Sequence, residues 1–260
     1  MKRNVVRAVT ARLAASLVAL LVLTVAPAMA GDRAELNVLG FSPDSKYLAF
    51  EEFGVFDGSG GNYSHIFVVD LSNDSWVPGT PFSIETNGDG GGDSTSLAEI
   101  RSKAAAKAAP LLKKLEIEIP ASVLVMLADG VANADGKSMV VDQPACCGPM
   151  DVDTSTEVKL SLKTFPAKMS GECMVDTAVG YELTASFVDG TISELHKDGD
   201  TLPKSRSCPQ DYRLYAVIAP YADGAPRVAI ISSYPFDFEG TSRRFLAVPI
   251  DGWTPPENAD

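Results

Sequence analysis

Apolar and polar residues alternate along most of this chain with a period of two, which is typical of half-buried β-strands. Val158, Leu160 and Leu162 are separated by Lys and Ser, and residues 183–187 follow the same rule. Asp-Gly pairs, which supply the positive φ angles of tight hairpins, punctuate these segments. The pairs begin at Asp57, Asp89, Asp129, Asp135, Asp189, Asp198, Asp223 and Asp251. The pattern predicts a mainly β fold built from antiparallel sheets.

Two segments, Ile66–Val69 and Val228–Ile231, are apolar at every position. A strand with one solvent-exposed face alternates apolar and polar residues, whereas a strand covered on both faces is continuously apolar. We therefore expect these two strands near the centre of the protein, with packing on both sides.

One segment has helical periodicity instead. Its apolar stripe consists of Leu97, Ile100, Ala104, Ala108, Leu111 and Leu115. Ser96 and Glu99 form a capping box at its start, and Pro110 predicts a kink or a restart near Ala109. The pattern predicts an amphipathic helix at about residues 96–115 that packs close against a sheet, with binding to a membrane surface as the alternative.

The two ends of the chain resemble each other. The segment Leu39–Leu71 reads as a strand, a Pro-Asp turn, a strand, a Gly-rich loop and a strand, the unit from which propeller blades are built. A single offset aligns 48–50 with 228–230, and one gap then aligns 66–69 with 245–248. The alignment indicates a duplicated hairpin module, although any two hairpins share such a pattern. We expect the modules to lie in one sheet or in two facing sheets, as a sandwich or a partial propeller.

The first thirty residues have the features of a signal peptide. Basic residues precede the apolar run Leu13–Val25, which is too short to span a membrane, and Ala28-Met29-Ala30 offers a cleavage site. An N-terminal membrane anchor is the alternative. The predicted organisation is a signal peptide at 1–30, a single secreted β-rich domain at 31–252 and a flexible tail at 253–260. Within the domain, the segments 78–93 and 143–151 are rich in Gly and Pro and are predicted to be loose.

The charge of the mature chain limits its partners. The leader contains four of the 22 basic residues, so 18 remain against 34 acidic residues, a net charge near −16. Such a surface repels phosphate backbones, and we expect no nucleic-acid partner. No second apolar stretch is long enough for a transmembrane helix, so we expect no membrane association after cleavage.

Export would place the cysteines in an oxidising compartment, where disulfides persist. Cys146, Cys147, Cys173 and Cys208 allow three pairings, and adjacent cysteines rarely bridge each other. We predict a Cys173–Cys208 disulfide, with Cys146 and Cys147 on an exposed loop. A zinc site is the alternative, but the chain has no Cys-x-x-Cys pair and only two histidines.

Short blocks in a specific order span nearly the whole mature chain. They are G-F-S-P-D at 40–44, F-E-E-F-G at 50–54, D-G-S-G at 57–60, the helical A-P-L-L at 109–112, S-R-S-C-P-Q-D-Y at 205–212 and F-E-G-T-S-R-R-F-L-A-V at 238–248. In these blocks the chain resembles a bacterial family of predicted secreted proteins, domain of unknown function 2259. The resemblance implies an exported bacterial protein and no particular activity. The Ser-Pro-Asp block is also similar to the repeat of periplasmic TolB-type propellers, but a propeller needs at least about four blades and two such units are visible.

Acidic residues at the strand ends are the first candidates for chemistry. Glu51 and Glu52 point to opposite faces of one strand, so they cannot form a glycosidase pair by themselves. Asp237 or Glu239 could face one of them if the two end modules pack together. Charged residues that only decorate the rim of a sheet are the simpler interpretation of the same pattern.

Arg243 and Arg244 follow the last turn of the chain. Arg243 could hold an anionic ligand, or both arginines could pair with Glu51, Glu52 or Asp237 across strands, which is the interpretation that we favour. No Gly-x-Ser-x-Gly elbow accompanies the two histidines, so we assign no catalytic residue.

The Gly-rich segment from Asn87 to Asp93 contains oxygen ligands that suit calcium, with Asp89 and Asp93 as the candidate ligands. It lacks the closing Glu of a helix-loop-helix site, so a flexible linker is the favoured interpretation. We predict no metal site and no cofactor.

These observations favour an exported cell-envelope protein, periplasmic or secreted, that acts as a non-catalytic binding or interaction module. Its partner would be an unidentified protein or small molecule, and Glu51, Glu52, Asp237, Glu239 and Arg243 are the candidate ligand-binding residues. The alternative is an uncharacterised hydrolase that uses carboxylates at the strand rim.

Overall fold

The computed structural model describes residues 31–88, 95–127, 135–141, 157–175, 177–221, 226–238 and 240–250. The fold is mainly β, as the alternation predicts, with three sheets and one α-helix in these ranges. The predicted signal peptide, the paired cysteines and the C-terminal tail lie outside the described residues, so those assignments stay predictions.

The described ranges contain fifteen strands. In chain order the elements are β1 (Glu35–Phe41), β2 (Tyr47–Val55), β3 (Asn62–Asp70), β4 (Ser75–Trp76), β5 (Phe82–Glu85), α1 (Leu97–Lys114), β6 (Ala121–Met126), β7 (Ser138–Val141), β8 (Val158–Met169), β9 (Ala178–Ser186), β10 (Ile192–Lys197), β11 (Thr201–Leu202), a 3₁₀ helix (Lys204–Arg206), β12 (Pro209–Pro220), β13 (Arg227–Asp237), β14 (Gly240–Thr241) and β15 (Arg244–Ile250).

Strands β1 to β5 form the first sheet, and β7 to β11 form the second sheet. The central sheet contains β6 and β12 to β15, with β13 between β12 and β15. Neighbouring strands in the described ranges pair antiparallel, except that β11 pairs with β8 in parallel over two residues. Short connections explain the antiparallel pairing of hairpin strands such as β2 and β3, because a hairpin turn joins only antiparallel neighbours. The pairing of β6 with β12 joins segments far apart in the chain.

The central sheet is covered on both faces. On β13, Ala229 and Ile231 pack toward the second sheet, whereas Val228 and Ile230 pack toward the first sheet. The prediction that this continuously apolar segment is buried on both sides is confirmed. Full burial of a Val or Ile side chain contributes about 1.5–3 kcal/mol, so Val228, Ile230 and Ile231 make this strand an anchor of the three-layer arrangement of sheets.

Strand β3 is covered in the same way. Phe67 and Val69 face the central sheet, and Ile66 faces α1, where it packs against Ala104 and Ala108. The small alanine side chains let the helix lie close to the sheet, as the Ala-rich stripe predicts.

Helix α1 begins after Ser96, whose hydroxyl accepts a hydrogen bond from the backbone N–H of Glu99 at 3.3 Å. The predicted N-cap is therefore confirmed. The helix continues through Pro110 to Lys114 as one element, so the predicted restart does not occur.

The two end modules share one core. Leu48 and Phe50 of β2 pack in the same cluster as Val228 and Ile230 of β13, so equivalent positions face each other between the two sheets. This arrangement supports the duplicated-module interpretation over two hairpins in unlike surroundings.

The gap in the sequence alignment is wrong. In the ladders Ala49 pairs with Val68 and Ala229 pairs with Val248, so both strands of the hairpin repeat at the same offset along the chain. A gap would align Ile66, which faces α1, with Phe245, which packs between the first sheet and the central sheet. Such side chains are not equivalent, because a slip of one residue moves every side chain to the other face of the strand.

The segment 78–93, predicted to be loose from its Gly and Pro content, contains β5. This strand pairs with β3, and Phe82 and Ile84 pack toward α1. The prediction is wrong over these four residues. Burial of the two alternate apolar side chains under the helix stabilises a strand although the surrounding residues favour turns.

The predicted Cys173–Cys208 disulfide is present, with a Cα–Cα distance of 5.7 Å. It joins the loop after β8 to the start of β12, and so connects the second sheet to the central sheet. Within the described residues, no helix combines the length and the apolar character that crossing a membrane requires.

Candidate functional site

Glu51 and Glu52 point to opposite faces of β2, as predicted, and meet different environments. Glu51 faces α1, where Nε and Nη2 of Arg101 donate to its two oxygens at 2.9 and 2.8 Å. Asn37 and Ser64 donate to the same carboxylate. Burial would raise the pKa of Glu51, but these hydrogen bonds outweigh it and hold the pKa below its usual range. Glu51 fastens the helix to the first sheet and offers no free oxygen to a ligand.

Glu52 faces the central sheet and is 1% exposed. Its Oε1 accepts a hydrogen bond from the backbone N–H of Phe245. Among the described residues no cation forms an ion pair with it, and Arg244 acts only at longer range. Burial therefore dominates and raises the pKa of Glu52 to about 7.

His65 lies directly opposite Glu52 on the neighbouring strand β3, so the two side chains share a face. Its Nε2 is 2.9 Å from Oε1 of Glu85, and its ring lies against Tyr63 with centroids 5.3 Å apart. Burial lowers the pKa of His65 despite the nearby Glu85 carboxylate, so the ring is mainly neutral at pH 7.

Arg244 is the cation nearest to this pair. Its Nη1 donates to the carbonyl of Arg243 at 2.8 Å and reaches the Tyr63 hydroxyl at 3.4 Å, and its Nη2 is 3.4 Å from Asp32. The guanidinium lies 5.2 Å from the centre of the Tyr63 ring. Sequence analysis expected cross-strand partners for this arginine in Glu51, Glu52 or Asp237, but its ion pair is with Asp32, which precedes the first strand.

The other predicted site residues lie elsewhere. Arg243 is buried and donates to the carbonyl of Ala34 and to Glu35. Asp237 accepts from the N–H of Phe238 and from the Ser242 hydroxyl, and so closes the turn after β13.

Glu239, Asp89 and Asp93 lie outside the described residues, so their proposed roles stay predictions. Within the part of the chain that is described, no cluster of three or more metal-ligating side chains is found.

Glu52, His65 and Arg244 line a cleft of about 240 Å³ between the first sheet and the central sheet, which we name the inter-sheet cleft. Its complete lining is Glu52, His65, Phe67, Trp76, Pro81, Ser83, Ser205, Arg206, Ser207, Ser233, Pro235, Arg244, Phe245 and Leu246. The 3₁₀ helix, which follows the last strand of the second sheet, contributes Ser205 and Arg206. Elements next to all three sheets therefore meet at this cleft.

A second hollow of about 300 Å³ adjoins the inter-sheet cleft. The two share Trp76, Ser205, Arg206 and Leu246. Trp76 is 40% exposed and packs on Phe67 with ring centroids 5.1 Å apart. An exposed indole at the junction of two hollows is a surface on which a flat or apolar ligand can stack.

A charged cluster supports the wall that contains Arg206. Nη2 of Arg206 donates to Asp198 at 3.0 Å, and the guanidinium lies over the Tyr181 ring at 5.4 Å. His196 bridges Asp198 and Asp74 at 3.2 and 3.3 Å. Burial would lower the pKa of His196, but the two carboxylates raise it to about 9, so the ring is a cation at neutral pH.

Sequence reasoning identified Glu52 but missed most of its surroundings. Trp76 and Arg206 were not candidates, because the packing of the sheets brings them to the cleft that contains Glu52. His196 was not recognised as a support of Arg206 through their common partner Asp198. The one available signal was the strand pairing itself, which places His65 beside Glu52 once β2 and β3 are recognised as a hairpin.

Replacing Glu52 by glutamine should stabilise the protein at alkaline pH. The unfolded chain loses the Glu52 proton near pH 4.5 and the folded protein near pH 7, so this group lowers stability as the pH rises through that window. Glutamine keeps the acceptor for Phe245 and removes the ionisation. We expect an increase in the free energy of unfolding of about 3 kcal/mol at pH 8.5 and almost none at pH 4.

Urea unfolding at the two pH values measures this difference. Glu51→Gln is the matched control, since it removes an ion pair and should destabilise the protein at neutral pH. Equal stability of wild type and Glu52→Gln at pH 8.5 would contradict the ionisation behaviour of Glu52.

The family description "Predicted secreted protein (DUF2259)" applies to a model that matches residues 49–251, more than half of the chain. This match confirms the resemblance carried by the sequence blocks. The similarity to TolB-type repeats stays a prediction. No curated protein and no solved structure matches the chain.

Proposed function

We propose that this chain, which belongs to the DUF2259 family of predicted secreted proteins, is an exported binding protein for a small ligand, with its site in the inter-sheet cleft. The observation that carries the proposal is the convergence of Trp76, Arg206, Arg244 and the buried Glu52 on one cleft. Ligand sites combine apolar and aromatic walls with a few polar groups that fix orientation, and this cleft has that composition.

The electrostatics of Glu52 support the proposal. A carboxyl group that is 1% exposed and has no ion-pair partner among the described residues costs folding free energy at neutral pH. Strongly perturbed groups beside a cleft are typical of functional sites. A buried carboxyl at this position therefore favours a role in ligand contact over a purely structural role.

The compartment belongs to the same proposal. The family is described as secreted, and a disulfide is typical of oxidising compartments. We propose that the protein works in the periplasm or outside the cell, where a disulfide-linked wall keeps the cleft shape constant.

The binding proposal is tested with Trp76 as a built-in reporter. Trp76 and Trp253 are the two tryptophans of the chain, so Trp253→Phe leaves Trp76 as the single indole. We expect saturable quenching of Trp76 fluorescence by at least one member of a panel containing benzoate, benzenesulfonate, benzyl alcohol, benzylamine and phenyl β-glucoside. Calorimetric titration of the same panel gives affinities for variants that lack the indole.

Trp76→Ala should weaken binding of the best panel member roughly tenfold, because loss of an aromatic stacking surface costs about 1 kcal/mol or more. Phe238→Ala is the matched control, since this aromatic ring is 84% exposed and outside the cleft. The proposal fails if no panel member binds, or if Trp76→Ala and Phe238→Ala bind equally well.

Hydrolysis is the second candidate function, and the pKa of Glu52 near 7 favours it. A carboxyl group whose pKa is raised toward neutral pH is suited to general acid catalysis. A screen of chromogenic glycosides and esters tests this function. Turnover that is absent, or that is unchanged in Glu52→Gln, eliminates it and leaves the binding role.

A further inference from the structure

We infer that the ligand of the inter-sheet cleft is a small organic anion, that Arg206 and Arg244 take its charged group, and that ionisation of Glu52 promotes its release. This inference rests on the proposed function and names its ligand class and its regulation.

The cationic groups of the cleft are guanidinium groups held in place by the fold. Arg206 is fixed by Asp198 at 3.0 Å and has a 14% exposed side chain. Arg244 is fixed by the Arg243 carbonyl at 2.8 Å and is 26% exposed. Guanidinium groups bind carboxylate and sulfonate oxygens through a planar fork, so two fixed arginines in one cleft suit an anion.

The walls of the cleft are less acidic than the protein as a whole. The whole chain has a formal net charge of −12. The lining of the two adjoining hollows contains five ionisable side chains, which are Arg206, Arg244, Asp74, Glu52 and the neutral His65. While Glu52 is protonated, the lining therefore has a positive formal charge. A cationic or neutral ligand gains nothing from this charge, whereas an anion does.

Glu52 faces a defined set of titratable and charged groups. His65 and Tyr63 belong to β3, and Arg244 belongs to β15. Glu85 of β5 lies behind His65, and Asp32 lies behind Arg244.

Glu52 is a group of these walls whose charge changes near neutral pH. Burial raises the pKa of Tyr63 to about 12 and lowers that of His65, so both are neutral near pH 7. Burial raises the pKa of Glu52 to about 7. Loss of the Glu52 proton places a negative charge in the wall that would hold the anion. Repulsion between these two negative charges should reduce the affinity for the anion on the order of tenfold.

The apolar part of the ligand has a matching surface. Trp76, Phe67 and Leu246 lie in the same lining as the arginines, and Trp76 is open to solvent. A molecule with a flat apolar part and one anionic group can therefore use the indole and a guanidinium at the same time. Inorganic anions lack the apolar part and should bind more weakly.

The test compares probes that differ only in charge and in the shape of the charged group. Benzoate is planar and benzenesulfonate is tetrahedral, both stay ionised from pH 5.5 to 8.5, and benzyl alcohol is neutral. We expect calorimetric titration at pH 5.5 to show roughly tenfold tighter binding of at least one anion than of benzyl alcohol. Arg244→Gln should remove this preference for the anion over benzyl alcohol.

The pH arm uses the better anion. Wild type should bind it roughly tenfold more weakly at pH 8.5 than at pH 5.5, and Glu52→Gln should bind it with the same affinity at both pH values. Glu194→Gln is the matched control, because this exposed acid on β10 lies outside the cleft and should leave the pH dependence intact.

The outcomes separate the inference from the proposed function. Equal binding of benzyl alcohol and both anions, still dependent on Trp76, overturns the anion inference and leaves the binding function. Preference for anions with unchanged pH dependence in Glu52→Gln overturns the role of Glu52. Absence of binding by every probe overturns both.

Discussion

Replacing Arg101 by alanine is expected to lower the free energy of unfolding by about 2–4 kcal/mol, because it leaves the carboxylate of Glu51 buried without its cation. The Glu51 side chain is 5% exposed, and Arg101 donates to both of its oxygens. The guanidinium also lies 3.7 Å from the centre of the Phe53 ring, so the substitution removes a cation–π contact as well. We expect the helix to loosen from the first sheet.

Chemical unfolding at pH 7 measures this loss. Lys103→Ala is the matched control on the same helix, because Lys103 forms an ion pair with Glu99 in which both side chains are about half exposed to solvent. This variant should lower the free energy of unfolding by less than about 1 kcal/mol. Adding Glu51→Gln to Arg101→Ala should recover part of the stability by removing the stranded charge. A loss no greater than that of Lys103→Ala would contradict the role of this ion pair.

Removing the disulfide by Cys173→Ala together with Cys208→Ala is expected to cost about 3–4 kcal/mol. The bond closes a loop over a sequence separation of 35 residues, and in the chain-entropy account a loop of this length restricts the unfolded state by about that amount. The expected result is a lower urea midpoint with a larger m-value, because the unfolded chain becomes more extended.

Reduced wild type provides the internal comparison, since dithiothreitol should bring its unfolding curve onto that of the double variant. Replacing Cys146 and Cys147, which the sequence predicts on an exposed loop, is the matched cysteine control and should have little effect. A double variant as stable as oxidised wild type would show that the bond adds nothing to the link between the second and central sheets.

The two stability predictions concern the walls of the proposed site. Arg101 holds the helix against the first sheet. The disulfide fastens the segment between the 3₁₀ helix, which carries Arg206, and β12 to the loop after β8. The variants therefore test how firmly the cleft is pre-organised, and pre-organisation reduces the entropy cost of ligand binding.

The candidate site was predictable in part. Alternation along β2 separates Glu51 from Glu52 and sends them to opposite faces, because successive side chains on a strand point in opposite directions. The same rule does not say that Glu51 meets Arg101 from a helix 50 residues away, or that Glu52 meets the backbone of Phe245. Both carboxylates looked alike in the sequence, yet Glu51 forms a structural ion pair and burial raises the pKa of Glu52 to about 7.

Local patterns by themselves determined the fold class, the helix with its Ser96 cap and the two strands buried on both faces. These features repeat every two or 3.6 residues and depend on neighbours in the chain, so a pattern of apolar and polar residues is sufficient to predict them. Tertiary structure alone decided the strand β5 in a Gly- and Pro-rich segment, the ungapped correspondence between the end modules and the membership of the inter-sheet cleft. Contacts between segments far apart in the chain depend on how whole sheets pack, and packing is a property of the assembled surfaces that no local period encodes.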